Sequence, residues 1–207
     1  MQYLDINSWN RKQHFEHFKK LSDPYFGVVV NVDVTNAYEF SKRSEFSFFV
    51  LYLHACMKAI NSIENLRYRI EEDKIVVHDV IHASATISRE DTTFGFSFIH
   101  YSDDIQIFFE NFQKEKERIQ KSTDLFPPIN SEDCIYCSAL PWFTFSGHKE
   151  PVSEQNESVP KIAFGKFENK NNKLLMPVSI IVNHALVDGY HIGEFFTNYQ
   201  IELNKIG

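Results

Sequence analysis

The run Leu174-Leu175-Met176-Pro177-Val178-Ser179-Ile180-Ile181-Val182 constrains the fold more than any other segment, because it is long and apolar enough to read as a buried strand. It ends in the polar cluster Asn183-His184-Ala185-Leu186-Val187-Asp188-Gly189-Tyr190-His191. Directly after it, Ile192, Phe195, Phe196 and Tyr199 recur at helical spacing, which predicts a helix from about Tyr190 with those side chains buried. Gly189 offers backbone freedom for the turn between the two elements. Pro177 lacks a ladder donor, so its strand is expected at a sheet edge or bulged there, and an edge can be covered by another subunit.

Helical and strand patterns alternate along the rest of the chain. An amphipathic helix is predicted over 11–21, with Phe15 and Phe18 on its apolar side, then a strand over 27–34 and a long helical region over 36–63. Strand-like segments at 66–70, 74–77, 83–88 and 94–99 are separated by polar turns and read as an antiparallel meander. Ser102-Asp103-Asp104 supplies a cap and an acidic first turn for a helix carrying Ile105, Phe108, Phe109 and Phe112. After Pro127-Pro128, strands are predicted at 134–139, 161–167 and 174–182, and the polar interval 148–158 reads as a surface loop. The order implies an α/β fold, a two-layer sandwich with a mixed, largely antiparallel sheet, in a single domain over 1–207.

Composition excludes several classes of function. A formal net charge of −7 gives no footprint for nucleic acid or an anionic membrane. The most apolar helical stretch, 46–60, carries His54 and Lys58 and is too short to cross a bilayer, and no secretory leader pattern opens the chain, so a cytoplasmic location is expected. Three cysteines do not make a disulfide framework. Cys134 and Cys137 have the spacing of a redox pair or half a zinc site, but on a strand their thiols point to opposite faces.

His184 at a strand end suits a general base, since neutral imidazole accepts a proton near pH 7. A satisfied core histidine is the structural alternative. His184, Asp188 and His191 fall at i, i+4 and i+7 and would line one face of a continuous helix as metal ligands, but the preceding strand and Gly189 argue against such a helix, and no metal is expected.

Further segments, Trp9-Asn10-Arg11-Lys12-Gln13-His14-Phe15, Ser138-Ala139-Leu140-Pro141-Trp142 and Leu174-Leu175-Met176-Pro177, together with 184–191, resemble the chloramphenicol acetyltransferase family essentially end to end. The resemblance implies acetyl-CoA as cosubstrate and a homotrimer with active sites at subunit interfaces, His184 of one subunit facing aromatic residues of its neighbour. It casts His184 as the base, Ser138 as donor to the oxyanion, and Asp188 as a structural partner of Arg11 and not as the third member of a triad. Phe18, Phe26 and Phe94 fall where the family lines its acceptor pocket, and Lys166 and Phe167 where it meets the nucleotide end of CoA. Two positions depart from the family: Asn183 replaces the first of two consecutive histidines, and Ala163 replaces a threonine that helps hold a water near the oxyanion.

The expected function is therefore chloramphenicol O-acetyltransferase. The alternatives are an acetyl-CoA-dependent acyltransferase of the same fold acting on another small hydroxyl or amine acceptor, and a non-enzymatic trimeric ligand-binding protein.

Overall fold

The computed structural model of the chain describes residues 2–152 and 157–207. Part of the predicted surface loop, 153–156, lies outside the described residues. The chain forms, in order, β1 (Gln2–Tyr3), α1 (Lys12–Phe18), β2 (Tyr25–Asp33), α2 (Thr35–Ser41), α3 (Phe48–Asn61), a short 3-10 turn (Glu64–Arg67), β3 (Tyr68–Glu71), β4 (Lys74–Val77), β5 (His82–Ser88), β6 (Phe94–Phe96), α4 (Ile105–Gln120), β7 (Cys134–Leu140), β8 (Lys161–Gly165), β9 (Glu168–Lys170), β10 (Lys173–Asn183) and α5 (Gly189–Asn204). No helix among the described residues is long and apolar enough to cross a membrane.

Seven strands form the main sheet in the order β2-β10-β8-β7-β5-β6, with β9 attached to β10. The β5–β7 and β7–β8 pairs are parallel and the other pairs antiparallel, so the sheet is mixed. The predicted meander is corrected: β3 and β4 join β1 in a separate three-stranded sheet, while β5 and β6 stay in the main one. Arg69 of β3 bridges the two sheets. Its guanidinium is fully buried and donates to the carbonyls of Glu132 at 2.7 Å, Leu66 at 3.0 Å, Tyr68 at 2.6 Å and Cys134 at 2.5 Å. Burial pulls its pKa down to about 10, and the four carbonyl partners keep the charge tolerable.

The long helical region predicted over 36–63 is two helices. Ser47 has an extended backbone and its hydroxyl accepts from Val50 N–H at 3.3 Å, so it caps a new helix where a continuous pattern was expected. Asp104 caps α4 in the same way, accepting from Gln106 N–H at 2.8 Å, and Phe108, Phe112 and Ile119 form the buried stripe of that helix. The buried residues of α5 are Ile192, Phe195, Tyr199 and Leu203, and the Tyr199 hydroxyl donates to the Tyr52 carbonyl at 3.1 Å where α5 packs on α3.

Sheet parity separates a core face from a second face. Ala85, Ile135, Cys137, Ile162 and Phe164 point into the main core, whereas Thr86, Tyr136, Ser138 and Lys161 alternate to the opposite side. Cys134 sits apart from Cys137, in a small cluster with Phe98 and Val159, so the two buried thiols do face opposite sides.

Of the two arrangements expected for Pro177, an edge or a bulge, the structure takes the bulge. Its strand is not at an edge: β10 lies between β2 on one side and β8 and β9 on the other, and β2 is the terminal strand. The missing donor is accommodated by a bulge across the ladder. Val178 pairs with Phe164 and Leu175 with Glu168, so Gly165, Lys166 and Phe167 oppose only Met176 and Pro177. The proline therefore gives no argument for a partner subunit.

Gly165 allows this close approach, since a Cβ there would lie 2.7 Å from Pro177 Cγ and 2.8 Å from Phe145 Cε1. Gly165→Ala is expected to destabilise the chain by about 1–3 kcal/mol, because the proline ring cannot move aside. Gly193→Ala, inside α5 with open space around its Cβ, should be neutral or stabilising. Urea denaturation of the two variants checks both; equal stability would show that the bulge relaxes freely.

Candidate active site

His184 follows the last residue of β10, and the turn that presents it is built by Asn183. The Asn183 side-chain oxygen accepts from Ala185 N–H at 3.0 Å, and its backbone carbonyl accepts from Leu186 and Val187 N–H, each at 3.1 Å. Its amide nitrogen donates to the Glu157 carbonyl at 3.1 Å, so this buried side chain is satisfied at both ends. The His184 N–H donates to the Pro24 carbonyl at 2.8 Å, and Asn65 holds the Leu186 carbonyl at 2.9 Å. Gly189, expected to supply the turn, is instead the first residue of α5 and has no positive φ. Asn183, where the resemblance implies a histidine, is the residue that shapes the turn here.

The His184 ring is held on two sides. Phe18 stacks on it with centroids 4.0 Å apart and planes 13° from parallel, and Phe26 lies at 4.5 Å. Nδ1 is 3.1 Å from the Val187 carbonyl and 3.3 Å from Asp188 Oδ1. Both neighbours are acceptors, which assigns the proton to Nδ1 and leaves the Nε2 lone pair free. The side chain is 32% exposed, so Nε2 can be reached by a substrate.

Arg11 is buried and pairs through Nη1 with Asp188 Oδ2, while its Nη2 reaches the His184 carbonyl at 3.4 Å. Burial lowers the Arg11 pKa, yet a guanidinium remains charged at any pH of interest. Asp188 thus answers Arg11 with one oxygen and lies near His184 with the other. Its backbone N–H donates to His191 Nδ1 at 2.9 Å. Burial, with Arg11 nearby, pushes the His191 pKa down, consistent with a neutral ring accepting that bond. The helical alignment of His184, Asp188 and His191 does not occur, because α5 begins only at Gly189. Among the described residues no group of three or more His, Cys, Asp or Glu side chains is placed to hold a metal ion.

Ser138 lies elsewhere on the same sheet. It pairs with Ala163, which pairs with Ser179, and His184 is five residues further on, just past the end of β10. Two strand spacings of about 4.8 Å and five residues of about 3.3 Å put the two Cα atoms roughly 20 Å apart. Within one chain the serine and histidine cannot meet. Ser138 Oγ makes no hydrogen bond among the described residues, so its hydroxyl is not tied to a backbone group there. It lines a cavity of about 490 Å³ walled by Phe94, Phe96 and Phe126.

The aromatic residues expected around the acceptor therefore divide. Phe18 and Phe26 belong with His184 of their own chain, which corrects the expectation that His184 faces them across an interface; Phe94 belongs with Ser138. Lys166 is exposed in the bulge, its N–H turned to the Phe143 carbonyl at 2.9 Å. Phe167 is half-buried and packs on Tyr38 and Phe48, at 5.0 and 5.7 Å, so its ring is engaged within the fold. The strand expected to reach Phe167 stops at Gly165. One residue before Phe143, the partner of the Lys166 N–H, Trp142 is 69% exposed and presents an aromatic face that the family resemblance left without a role. A tryptophan set between a strand and a polar loop was the available signal.

The chloramphenicol acetyltransferase family model matches residues 1–200 of the chain. Chloramphenicol acetyltransferase 3 of Escherichia coli is 29% identical over 200 residues, covering 95% of this chain and 94% of that protein. A solved chloramphenicol acetyltransferase superposes with a TM-score of 0.90 at 26% identity, covering 98% of this chain and 99% of that one. A probable dihydrolipoamide acetyltransferase from Listeria monocytogenes shares the fold at 15% identity, with a TM-score of 0.69 and 95% and 90% coverage. With its fold, its His184 turn and a match along nearly its whole length, the chain belongs to the chloramphenicol acetyltransferase family.

Proposed function

We propose that the chain is a chloramphenicol O-acetyltransferase whose active site joins His184 of one copy to the Ser138 cavity of another, in a homotrimer. The observation that carries the reading is the separation of roughly 20 Å between two half-sites of one chain, each incomplete alone. Among the described residues, one half holds a base whose Nε2 has no hydrogen-bond partner, and the other a hydroxyl without one in an aromatic cavity. A closed ring of copies brings them together, because every copy presents both halves.

In this scheme His184 Nε2 removes the proton of the acceptor hydroxyl as that oxygen attacks the thioester carbonyl of acetyl-CoA. Ser138 Oγ donates to the resulting tetrahedral oxyanion. Collapse expels the CoA thiolate, which takes the acceptor's proton from the imidazolium, leaving acetylated acceptor, free thiol and neutral His184. No acyl-enzyme forms. Asp188 steadies the imidazolium through Nδ1, while Arg11 ties the Asp188 carboxylate and the His184 carbonyl to α1. Lys166 and the exposed Trp142 face offer a charge and a stacking surface for the nucleotide of acetyl-CoA.

His184→Ala should lower turnover at least about a hundredfold, and Ser138→Ala should lower kcat far more than it changes KM, since its bond strengthens only as the oxyanion develops. Co-expressing the two inactive variants should recover activity at about one site in four, because random mixed trimers unite an intact His184 with an intact Ser138 at that frequency. Free-thiol release from acetyl-CoA reads all three. Mixed trimers as inactive as either parent would sink the shared site, and a folded His184→Ala protein with near wild-type release would remove the base.

Asp188→Asn leaves Arg11 buried beside a neutral amide. The carboxylate is 30% exposed, so the expected loss is about 1–2 kcal/mol, below that of a fully buried pair. Thermal unfolding and thiol release should both fall. Loss of activity at unchanged stability would instead favour a role for Asp188 confined to the His184 ring.

A further inference from the structure

We propose that Lys161 is an acceptor-binding residue, and that the cavity it shares with Ser138 takes aromatic or apolar alcohols that also carry a hydrogen-bond-accepting oxygen, as an amide, ketone or nitro group. The proposal rests on the reading of the Ser138 cavity as the acceptor site and deepens it.

Lys161 is a charged residue that opens a five-residue strand otherwise made of apolar or small side chains, and its side chain is only 9% exposed. An ammonium has three donors. One meets Glu157 Oε1 at 2.8 Å and one the Pro151 carbonyl. The third has no partner among the described residues, although the group lines the cavity. With two bonds among the described residues and a place on the cavity wall, this buried ammonium has a donor to offer a ligand, because an unmade bond from a charged group is among the more costly to leave in a dry site.

The register aims it at the right place. Tyr136 pairs with Lys161 and Ser138 with Ala163, so Lys161 and Ser138 leave the same face of the sheet, one pleat repeat apart on neighbouring strands. Their Cα atoms are about 8 Å apart, the span of a small alcohol whose hydroxyl is at Ser138 and whose carbonyl is at Lys161. Phe94, Phe96 and Phe126 supply the apolar wall, and Tyr136 and Thr86 add hydroxyls on the same face. A purely hydrocarbon alcohol would cover the Lys161–Glu157 pair, remove its remaining water and return no bond. An acceptor with an oxygen at that point replaces the lost water.

The test is calorimetric binding of three probes to the full-length chain: 3-phenylpropan-1-ol, N-acetylphenylalaninol and chloramphenicol. The proteins are wild type, Lys161→Met and the double variant Lys161→Met with Glu157→Gln, the last avoiding an unpaired buried carboxylate if the single change fails to fold. The expected result is that the two amide-bearing alcohols bind wild type at least about tenfold more tightly than phenylpropanol, and that the double variant abolishes this preference while binding phenylpropanol as before. An unchanged preference in a folded variant, or no measurable binding of either amide-bearing probe to wild type, overturns the proposal. Thiol release measured in parallel separates the two readings: probes that bind in the Lys161-dependent way yet release no thiol count against the transferase and leave the Lys161 site standing.

Discussion

The register of β10 governs this molecule. It is held along its length by β2 on one side and by β8 and β9 on the other, so a one-residue slip would invert the core face and is strongly opposed. Because β8 in turn fixes β7, the same ladder determines where the histidine turn emerges and where Ser138 projects. The distance between the half-sites is thus a consequence of strand pairing and not of loop conformation, which is why it supports an argument about assembly. The bulge opposite Pro177 fits the same scheme. It absorbs the missing donor beside β8 and β9 and leaves the β2 pairing continuous up to Asn183.

Much of this was legible in the sequence where one local rule acted alone. The apolar run before His184, the stripe of α4 and the buried face of α5 each obey a single periodicity, and their elements lie where that periodicity puts them. The mixed sheet followed from the order of elements. Errors arose where two rules competed. Apolar continuity over 36–63 hid the Ser47 cap, and alternation alone could not tell that β3 and β4 leave the main sheet, because that depends on the long-range placement of Arg69. Pro177 shows the same limit: a missing donor demands a bulge or an edge, and only the partner strands decide between them.

At the candidate site, residue types were easier to read than their grouping. His184, Arg11 and Asp188 are brought together as the resemblance implied, and the pairing has a physical reason, since among the described residues the buried Arg11 guanidinium reaches only the His184 carbonyl besides and the helix start supplies a carboxylate. The partition of the aromatic residues was not legible. Phe18, Phe26 and Phe94 are equivalent by composition, yet α1 and β2 carry two of them to the histidine and β6 carries the third to the serine. The turn was assigned to Gly189 because glycine is the usual source of backbone freedom, whereas a side-chain hydrogen bond from Asn183 does the same work without it.

Glu157 connects the two halves. Its backbone carbonyl receives the Tyr25 hydroxyl at 2.7 Å and the Asn183 amide at 3.1 Å, and its carboxylate holds Lys161. One residue thereby braces the turn that presents the base and the wall that shapes the cavity. In an assembly of the proposed kind these halves serve different active sites, so the brace fixes the position of each site relative to the next through the body of a single chain. Asn183 is then more than a substitute for a histidine. Its two-ended bonding, to the turn on one side and to Glu157 on the other, makes the placement of His184 depend on the same short segment that sets the polarity of the acceptor cavity.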